Sequence, residues 1–558
     1  MLIDLSSPIV SSAVSSPRTR TPRALRSSPR PTAQAAQCGH AAPKEFPEKT
    51  KQLLRNAIKM NDAAIKHAFQ WDQHMFDNME SEEIDAFLTS VDGKTWSTAF
   101  TGVDAPFAAF QDVLHEAEIH APKDRNITRP RLVHMAEWER WEQTELKTLH
   151  SNTSPSPCLF SDVAGWYVDD IQQHIPAFKA SPHKIVPSLL PIVKRGLAVK
   201  LDGCKCIMHN HTCNVPASQV HIAGFPCIGH SAMGARLQWE DESMLYILAW
   251  AGVRLAMQEP IIVLENVNGV SYLIGAIFSE LYVVDDSAFL CPSQFGFAIT
   301  RPREFYILRH RQKTGAVSSP LSRFALRFHR AAHRTYHQFF WLHRHSPSDP
   351  DLTFPDEMET DLSWARNRGT SRAQDEGRVG EATIHPSEIG DVPCYRELSA
   401  HELCLNTMER KHLNGYRKLH PSRIWNLQQN PDRRVVTSGI DGRMSCLIRA
   451  MWLQFTDANP SLGLPWARWL SGMEALACQG FRTRPSVKKG YLQSSFDLRI
   501  PGRRPQQLRE GAGNSIAIPC IGTCLVHVFT NIELTRSVPS PPTSMSLLSG
   551  LLGQLAKL

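Results

Sequence analysis

Two apolar segments, each ending in a chemically reactive residue, constrain this chain more than any other feature. Val220 to Ala223 leads into Gly224-Phe225-Pro226-Cys227, and Ile261 to Leu264 leads into Glu265-Asn266-Val267. Both segments have the length and residue types of buried strands. In an open α/β sheet the carboxyl ends of neighbouring strands converge on one crevice. The sequence therefore predicts that a thiol and a carboxylate meet at one edge of a parallel sheet.

The chemistry of this pair depends on the thiol of Cys227 and the carboxylate of Glu265. A thiol can attack an electron-poor ring, and a carboxylate beside it can hold the protonated form of that ring. We expect Cys227 at a strand-to-helix junction, where the helix dipole lowers the pKa of a thiol. The alternatives are a buried structural cysteine and a glutamate that caps the next helix.

Read as G-F-P-C and E-N-V, the two segments resemble motifs IV and VI of the DNA cytosine-5-methyltransferases. Segments similar to motifs I, II, III, VIII, IX and X follow the family's order, at 99–104, 133–139, 158–163, 295–303, 470–481 and 512–519. The resemblance implies an α/β fold. It would be a Rossmann-like S-adenosylmethionine (SAM)-dependent methyltransferase sheet, with a second, smaller target-recognition domain and a helical N-terminal extension.

The resemblance also implies a reaction, the transfer of a methyl group from SAM to carbon 5 of cytosine in DNA. Cys227 would add to carbon 6 of a cytosine flipped out of double-stranded DNA. Glu265 would hydrogen-bond the ring nitrogen and the exocyclic amine. Arg303, together with Arg301, would reach the carbonyl oxygen of the base and orient Glu265.

A cofactor pocket for SAM is implied in the same way. Glu137 would accept the ribose hydroxyls, and Trp138 would stack on the adenine. Asp162 would accept the adenine amino group, with Val163 packed beside it. The remaining residues that the resemblance places in the pocket are Phe100, Gly102, Pro226 and Asn514.

Four positions depart from the family's pattern. Asp104 stands where motif I has its second glycine, and Ile299 replaces a glutamine of motif VIII. Ile228 and His230 replace the glutamine and phenylalanine that usually follow the Pro-Cys pair. An acid at position 104 could crowd or repel the cofactor carboxylate. These departures favour an alternative, a catalytically inactive homologue that binds DNA or a partner; the same chemistry on a structured RNA is another.

The order of the motifs predicts the domain organisation, with residues 167–215 as an insertion between motifs III and IV. The predicted segments are a disordered Ser/Pro/Arg-rich tail (1–43), a helical extension (44–93), the SAM-binding catalytic domain (94–315), the target-recognition region (316–465), the return to the catalytic domain (466–534) and a flexible tail (535–558). The basic N-terminal tail suits a nuclear protein that binds nucleic acid. An organelle transit peptide is the alternative.

Charge and hydropathy bear on possible partners. The formal net charge of +7 suits a polyanion such as DNA or RNA. Four arginines recur at helical spacing and are predicted to share one helix face that grips phosphates, or else to form a solvated basic helix: Arg323, Arg327, Arg330 and Arg334. The sequence contains no apolar run of the roughly 18 residues that a membrane span needs, so we expect no membrane partner. The oligomeric state stays open.

One segment is rich in potential metal ligands: Cys204, Cys206, His209, His211 and Cys213. Zinc sites usually show pairs of the form C-x₂₋₄-C, and C-x-C followed by H-x-H is a poor match. We therefore expect a Cys- and His-rich loop without a metal. The 13 cysteines lack regular pairing and are expected to be reduced thiols.

Overall fold

The computed structural model describes residues 63–332, apart from 123–124, 228 and 231–236, and several later segments. The longest of these are 407–419, 424–427, 443–447, 468–483 and 505–534. The predicted tails, 1–43 and 535–558, and most of the predicted target-recognition region lie outside the described residues. All elements below belong to the unit Glu45–Leu558.

A nine-stranded sheet forms the centre of the molecule, in the order β5-β4-β3-β2-β1-β6-β7-β9-β8. The strands are β1 (Thr95–Ala99), β2 (Arg131–Ala136), β3 (Cys158–Phe160), β4 (Cys204–Cys206), β5 (His211–Cys213), β6 (Val220–Ala223), β7 (Ile261–Asn266), β8 (Tyr282–Leu290) and β9 (Arg303–His310). The central five strands, from β3 to β7, are parallel, and β9 is antiparallel to β7. This Rossmann-like order confirms the predicted fold class. It places the topological switch point between β1 and β6, where ligands bind in sheets of this kind.

Helices connect the strands and cover both faces. Those described are α1 (Trp71–Asp77), α2 (Ser81–Val91), α3 (Ala105–His120), α4 (Arg140–His150), α5 (Asp169–Gln172), α6 (Ile175–Ala180), α7 (Ile185–Lys194), α8 (Ser243–Met257), α9 (Ser271–Phe278), α10 (Leu321–Leu326), α11 (Thr407–Leu419), α12 (Gly472–Cys478), α13 (Pro505–Asn514) and α14 (Ile518–Asn531). Short strands form two smaller sheets, β10 (Thr314–Val317) with β14 (Ile532–Leu534), and β11 (Ile424–Asn426), β12 (Gln454–Thr456) and β13 (Arg468–Trp469).

Strand β7 shows why its apolar run folds as a central strand. Ile261 and Val263 enter the core on one face of the sheet, and Ile262 and Leu264 enter the core on the other. Successive side chains of a strand point to opposite faces, so a strand covered on both sides must be apolar throughout. Helices α3 and α14 cover the first face, and α7, α8 and α9 cover the second.

The predicted helical extension packs on the helices that cover the central sheet. Helix α2 lies against α14, and the rings of Phe87 and Phe529 meet edge to face with their centroids 6.2 Å apart, a spacing typical of aromatic pairs. The stretch Gln506–Asn531 is long and apolar enough to cross a membrane, but 89% of its most apolar window is buried inside the protein. Such burial is typical of a core helix.

The residues predicted to be an insertion form α5, α6, α7 and the β4–β5 hairpin. Strand β4 pairs antiparallel with β3 through Phe160 and Cys206, and this pairing extends the sheet at its outer edge. The insertion therefore adds two strands beside motif III.

The prediction of one arginine-bearing helix face is wrong. Helix α10 ends at Leu326, and the next arginine, Arg327, forms an ion pair with Glu83 of α2. Arg330 donates to the backbone oxygen of Gln70 at 3.3 Å, and Arg334 lies outside the described residues. Phe324, Ala325 and Phe328 pack into the main core, while Arg327 and Arg330 contact the N-terminal helical region.

Candidate active site

The motifs converge on Gly224, directly after β6. A methyl group placed on its α-carbon would lie 3.2 Å from Glu265 Oε2, 3.3 Å from the backbone oxygen of Phe100 and 3.4 Å from Ile516 Cδ1. Segments of motifs I, IV, VI and X thus meet around the α-carbon of Gly224, which carries no side chain. The close approach explains why a glycine opens the G-F-P-C segment.

Cys227 lies in a loop after β6 and is half-buried, and its backbone oxygen accepts from the N–H of His230 at 3.0 Å. No described helix starts at Cys227, since the next helical turn in the described residues is Gln238–Glu240. Burial raises the pKa of the thiol above its ordinary value of 9.0, although the positive charge of Arg303 opposes part of the rise. The expectation of a thiol activated by a helix dipole is therefore wrong.

Glu265 and Arg303 form a mostly buried ion pair at the neighbouring ends of β7 and β9. Arg303 Nε lies 3.1 Å from Glu265 Oε1, and the antiparallel pairing of the two strands brings these ends together. Both charges act on the Cys227 thiol. The structure thus brings Cys227, Glu265 and Arg303 together, and the charge of Arg301 also acts on this group.

Asn266 positions the Cys227 loop, a role that the sequence did not predict. Its side-chain amide donates to the backbone oxygen of Phe225 at 3.0 Å, and its Oδ1 accepts from the N–H of Val267 at 2.8 Å. Asn266 is buried, so these bonds are shielded from water. The E-N-V segment therefore supplies a carboxylate and also an anchor for the G-F-P-C segment.

Arg301 makes backbone contacts that the sequence did not predict. Its guanidinium donates to the backbone oxygen of Leu447 and, at 2.9 Å each, to those of Gly513 and Ser515. The side chain is buried, and these bonds tie motif VIII to motif X.

A second thiol beside the site was missed in the sequence. Arg303 Nη2 donates to Cys446 Sγ at 3.5 Å, and Cys446 is 145 residues from Arg301, which also reaches it. Met444, two residues earlier, pairs with Ile299 and Thr300. No motif marks Cys446, because its place depends on this long-range pairing.

The motif I turn contains left-handed backbone at Phe100 (φ 56°), Gly102 (φ 63°) and Asp104 (φ 61°). The side chain of Asp104 is buried, and its Oδ2 lies 2.9 Å from His150 Nε2 at the end of α4. The carboxylate is thus held by a histidine within the protein. That this acid could crowd or repel the cofactor carboxylate stays a prediction, and the pairing with His150 is an observation against it.

Glu137 follows β2 and closes the motif I turn. Its carboxylate accepts from the N–H of Gly102 at 3.1 Å and from the N–H of Trp138 at 2.8 Å. Burial raises its pKa, and these backbone donors oppose the rise. The pairing places Glu137 beside the backbone that would face the cofactor.

A second acid, Glu142, adjoins this one and was missed in the sequence. It is fully buried, and burial together with the neighbouring Glu137 raises its pKa well above the ordinary value of 4.5. Asn514, a predicted pocket residue, donates to Glu142 Oε1 at 3.0 Å. Asn514 thereby links motif X to the helix that follows motif II. Because its pKa is raised, the carboxyl group of Glu142 stays protonated to a higher pH than that of an exposed glutamate.

The remaining pocket residues lie at the ends of neighbouring strands. Trp138 is 58% exposed, so one ring face is available to stack on a planar group. Asp162 is exposed after β3 and accepts from the N–H of Ala164 at 2.8 Å, while Val163 is buried beside it. Pro226 is half-buried beside Cys227. An acid, an exposed indole and a glycine turn at adjacent strand ends fit the nucleoside of SAM.

The departures around Cys227 and motif VIII have separate explanations. Ile299 is fully buried in the core, so its side chain cannot point at a base. His230 Nδ1 lies 3.2 Å from the hydroxyl of Tyr272, and Ile228 lies outside the described residues.

No family model and no curated protein matches this chain. Among solved structures it is similar to the methyltransferase EhMeth of Entamoeba histolytica (9% identity, TM-score 0.37), covering 78% of this chain and 98% of that one. It is similar to the Dnmt2 methyltransferase of S. pombe (11%, 0.36), covering 78% and 97%. A DNMT2 mutant of Spodoptera frugiperda matches at 11% and 0.33, covering 78% and 99%.

Proposed function

We propose that this chain is a methyltransferase that transfers a methyl group from SAM to carbon 5 of cytosine in DNA. The observation that carries the proposal is the meeting of Cys227 with the Glu265–Arg303 ion pair at the strand ends beside the switch point. A nucleophile, an acid and a cation at one crevice suit a covalent reaction on a ring that must be held and polarised.

In this proposal the thiolate of Cys227 adds to carbon 6 of the base, which makes carbon 5 nucleophilic. Glu265 stabilises the charge that develops on the ring nitrogen, and Arg303 holds the carbonyl oxygen. Carbon 5 would then take the methyl group of SAM, which leaves as S-adenosylhomocysteine. Loss of the carbon 5 proton to a base breaks the carbon–sulfur bond and releases Cys227 as its thiolate. Because burial raises the pKa of Cys227, the nearby charge of Arg303 is needed to favour the thiolate.

The methyl donor would occupy the carboxyl ends of β1, β2 and β3. Glu137 and Trp138 would hold its ribose and adenine, with Asp162 at the adenine amino group. When bound there, SAM would supply the electrophilic methyl group. The base must leave the DNA stack to reach Cys227, as base-flipping enzymes require.

The decisive experiment is adduct trapping. Purified full-length protein is mixed with SAM and a DNA duplex that carries 5-fluorocytosine, and an RNA of the same sequence is tested in parallel. Fluorine cannot leave as a proton does, so the covalent intermediate persists. We expect a denaturant-resistant adduct on DNA that requires SAM and disappears in Cys227→Ser, while Cys478→Ser, which changes a buried thiol of α12, retains it.

Each outcome is informative. An adduct on RNA alone would replace DNA as the substrate and keep the chemistry. If calorimetry shows that the protein binds SAM but no adduct forms, the proposed enzymatic activity is refuted. The alternative of an inactive homologue that binds DNA or a partner would then remain. An adduct that survives in Cys227→Ser would show that another residue is the nucleophile.

A further inference from the structure

Three cysteines and one histidine meet at the outer edge of the sheet, away from the Cys227 site. Cys158 lies on β3, Cys206 on β4 and Cys213 on β5, and His209 lies in the turn of the β4–β5 hairpin. The three sulfur atoms and one ring nitrogen all lie within 4.8 Å of one another. Four soft or borderline donors thus surround one point.

The spacing of these atoms matches a tetrahedral metal site. His209 Nδ1 lies 3.4 Å from Cys213 Sγ, 3.5 Å from Cys206 Sγ and 3.7 Å from Cys158 Sγ. With zinc–sulfur bonds of about 2.3 Å and zinc–nitrogen bonds of about 2.0 Å, tetrahedral angles place sulfur and nitrogen about 3.5 Å apart. A set of ordinary thiol contacts has no reason to give three such similar distances.

The surroundings of the cluster support the same conclusion. The backbone N–H of Leu159 donates to Cys206 Sγ at 3.4 Å, a contact that orients and stabilises a sulfur ligand. None of the cysteines in the described part of the chain is in a disulfide. Three cysteines and one histidine complete four-coordination, which is typical of structural zinc rather than catalytic zinc.

We propose that Cys158, Cys206, His209 and Cys213 bind one zinc ion as a closed structural site. The ion would clamp the inserted hairpin to β3, where the backbone also joins through the Ile207 N–H and the Leu159 oxygen at 2.7 Å. Strand β3 leads directly to Asp162, so the clamp would steady the adenine end of the proposed cofactor pocket.

This proposal departs from the expectation of a metal-free Cys- and His-rich loop. Cys204 Sγ faces the backbone oxygens of Lys200 and Asp202, away from the cluster. His211 Nδ1 lies 2.8 Å from the Thr212 oxygen and 3.6 Å from Cys213 Sγ, but it does not share the common point of the four donors. The fourth ligand is Cys158 of motif III, which the local spacing of the hairpin could not reveal.

The test measures metal in the full-length protein and does not depend on methyl transfer. We expect elemental analysis to find one zinc per chain after exhaustive dialysis. Replacement by cobalt should give the intense visible bands of a tetrahedral thiolate-rich site. Cys158→Ser, Cys206→Ser, Cys213→Ser and His209→Ala should each lose most of the zinc, whereas Cys204→Ser and His211→Gln should retain it.

Wild-type protein that carries no zinc and gives no cobalt bands would overturn the proposal without the need for any variant. So would a disulfide between Cys204 and Cys213, which are opposite one another in the hairpin, found by mass spectrometry of protein purified without reductant. Loss of zinc in Cys204→Ser equal to that in Cys206→Ser would equally contradict the assignment.

Discussion

Replacing Asp104 with glycine restores the residue that the resemblance leads one to expect in motif I. The structure predicts that this substitution makes the protein less stable. Asp104 sits at φ 61° and ψ 48° before α3, a left-handed conformation that glycine adopts without strain. Its carboxylate is buried against His150, so the same change removes a buried partner.

The two effects oppose each other and can be compared. Left-handed backbone costs a residue with a side chain about 1–2 kcal/mol, and aspartate tolerates it better than most, so glycine gains about 1 kcal/mol. A hydrogen bond to a charged group contributes about 1.5–3 kcal/mol, and His150 would lose that partner inside the core. Asp104→Gly should therefore lower the free energy of unfolding by about 0.5–2 kcal/mol.

The assay is urea unfolding followed by tryptophan fluorescence, with calorimetry of SAM binding on the same preparations. Asp104→Asn is the matched control, because it keeps an acceptor oxygen and a tolerance for left-handed backbone, and it should lose less stability than the glycine variant. SAM affinity should change by less than about threefold in either variant, since the carboxylate is engaged with His150. A glycine variant that is more stable than wild type, or that binds SAM more than tenfold more tightly, would refute this reasoning.

Three further predictions follow from the site. Asn266→Ala should lower turnover about tenfold or more in a methyl-transfer assay, with SAM affinity unchanged by calorimetry, because the Phe225 carbonyl loses its anchor. Arg303→Lys should lower adduct formation with 5-fluorocytosine DNA, because lysine cannot both pair with Glu265 and hold the base oxygen; unchanged adduct yield would exclude that role. Burial raises the pKa of Glu142 in the folded state. The protonated carboxyl group therefore makes its full contribution to the free energy of unfolding below about pH 4.5, and that contribution is lost as the pH rises through the raised pKa. Glu142→Gln should flatten the fall in unfolding free energy over that window, and urea titrations giving parallel pH profiles would contradict it.

The central sheet could be predicted because its signal is local. The apolar runs of β6 and β7 are short, continuous and followed by turn residues, and their order along the chain fixes a parallel arrangement. The convergence of Cys227 and Glu265 then follows from the geometry of strand ends. Prediction succeeded where one short segment and one general rule were enough.

The errors arose where a side chain's role depends on distant partners. Arg301 and Arg303 look equivalent in sequence, yet Arg301 is engaged by the backbone of residues more than 140 positions away. The pKa of Cys227 was misjudged because burial, which spacing cannot show, outweighs the charges around the thiol. Cys158 was read only as part of motif III, because 48 residues separate it from Cys206.

The positions that depart from the family's pattern lie in two different parts of the structure, the buried core and the loop beside Cys227. Their locations indicate which experiment to do first. Asp104 and Ile299 are buried and accommodated, one by His150 and the other by the apolar core. His230 lies in the loop beside Cys227, the proposed nucleophile, and contacts the hydroxyl of Tyr272. The turn beside Glu137, the proposed cofactor residue, keeps its hydrogen bonds. SAM binding is therefore expected whether or not the protein is active, and adduct formation alone separates an enzyme from a binding module.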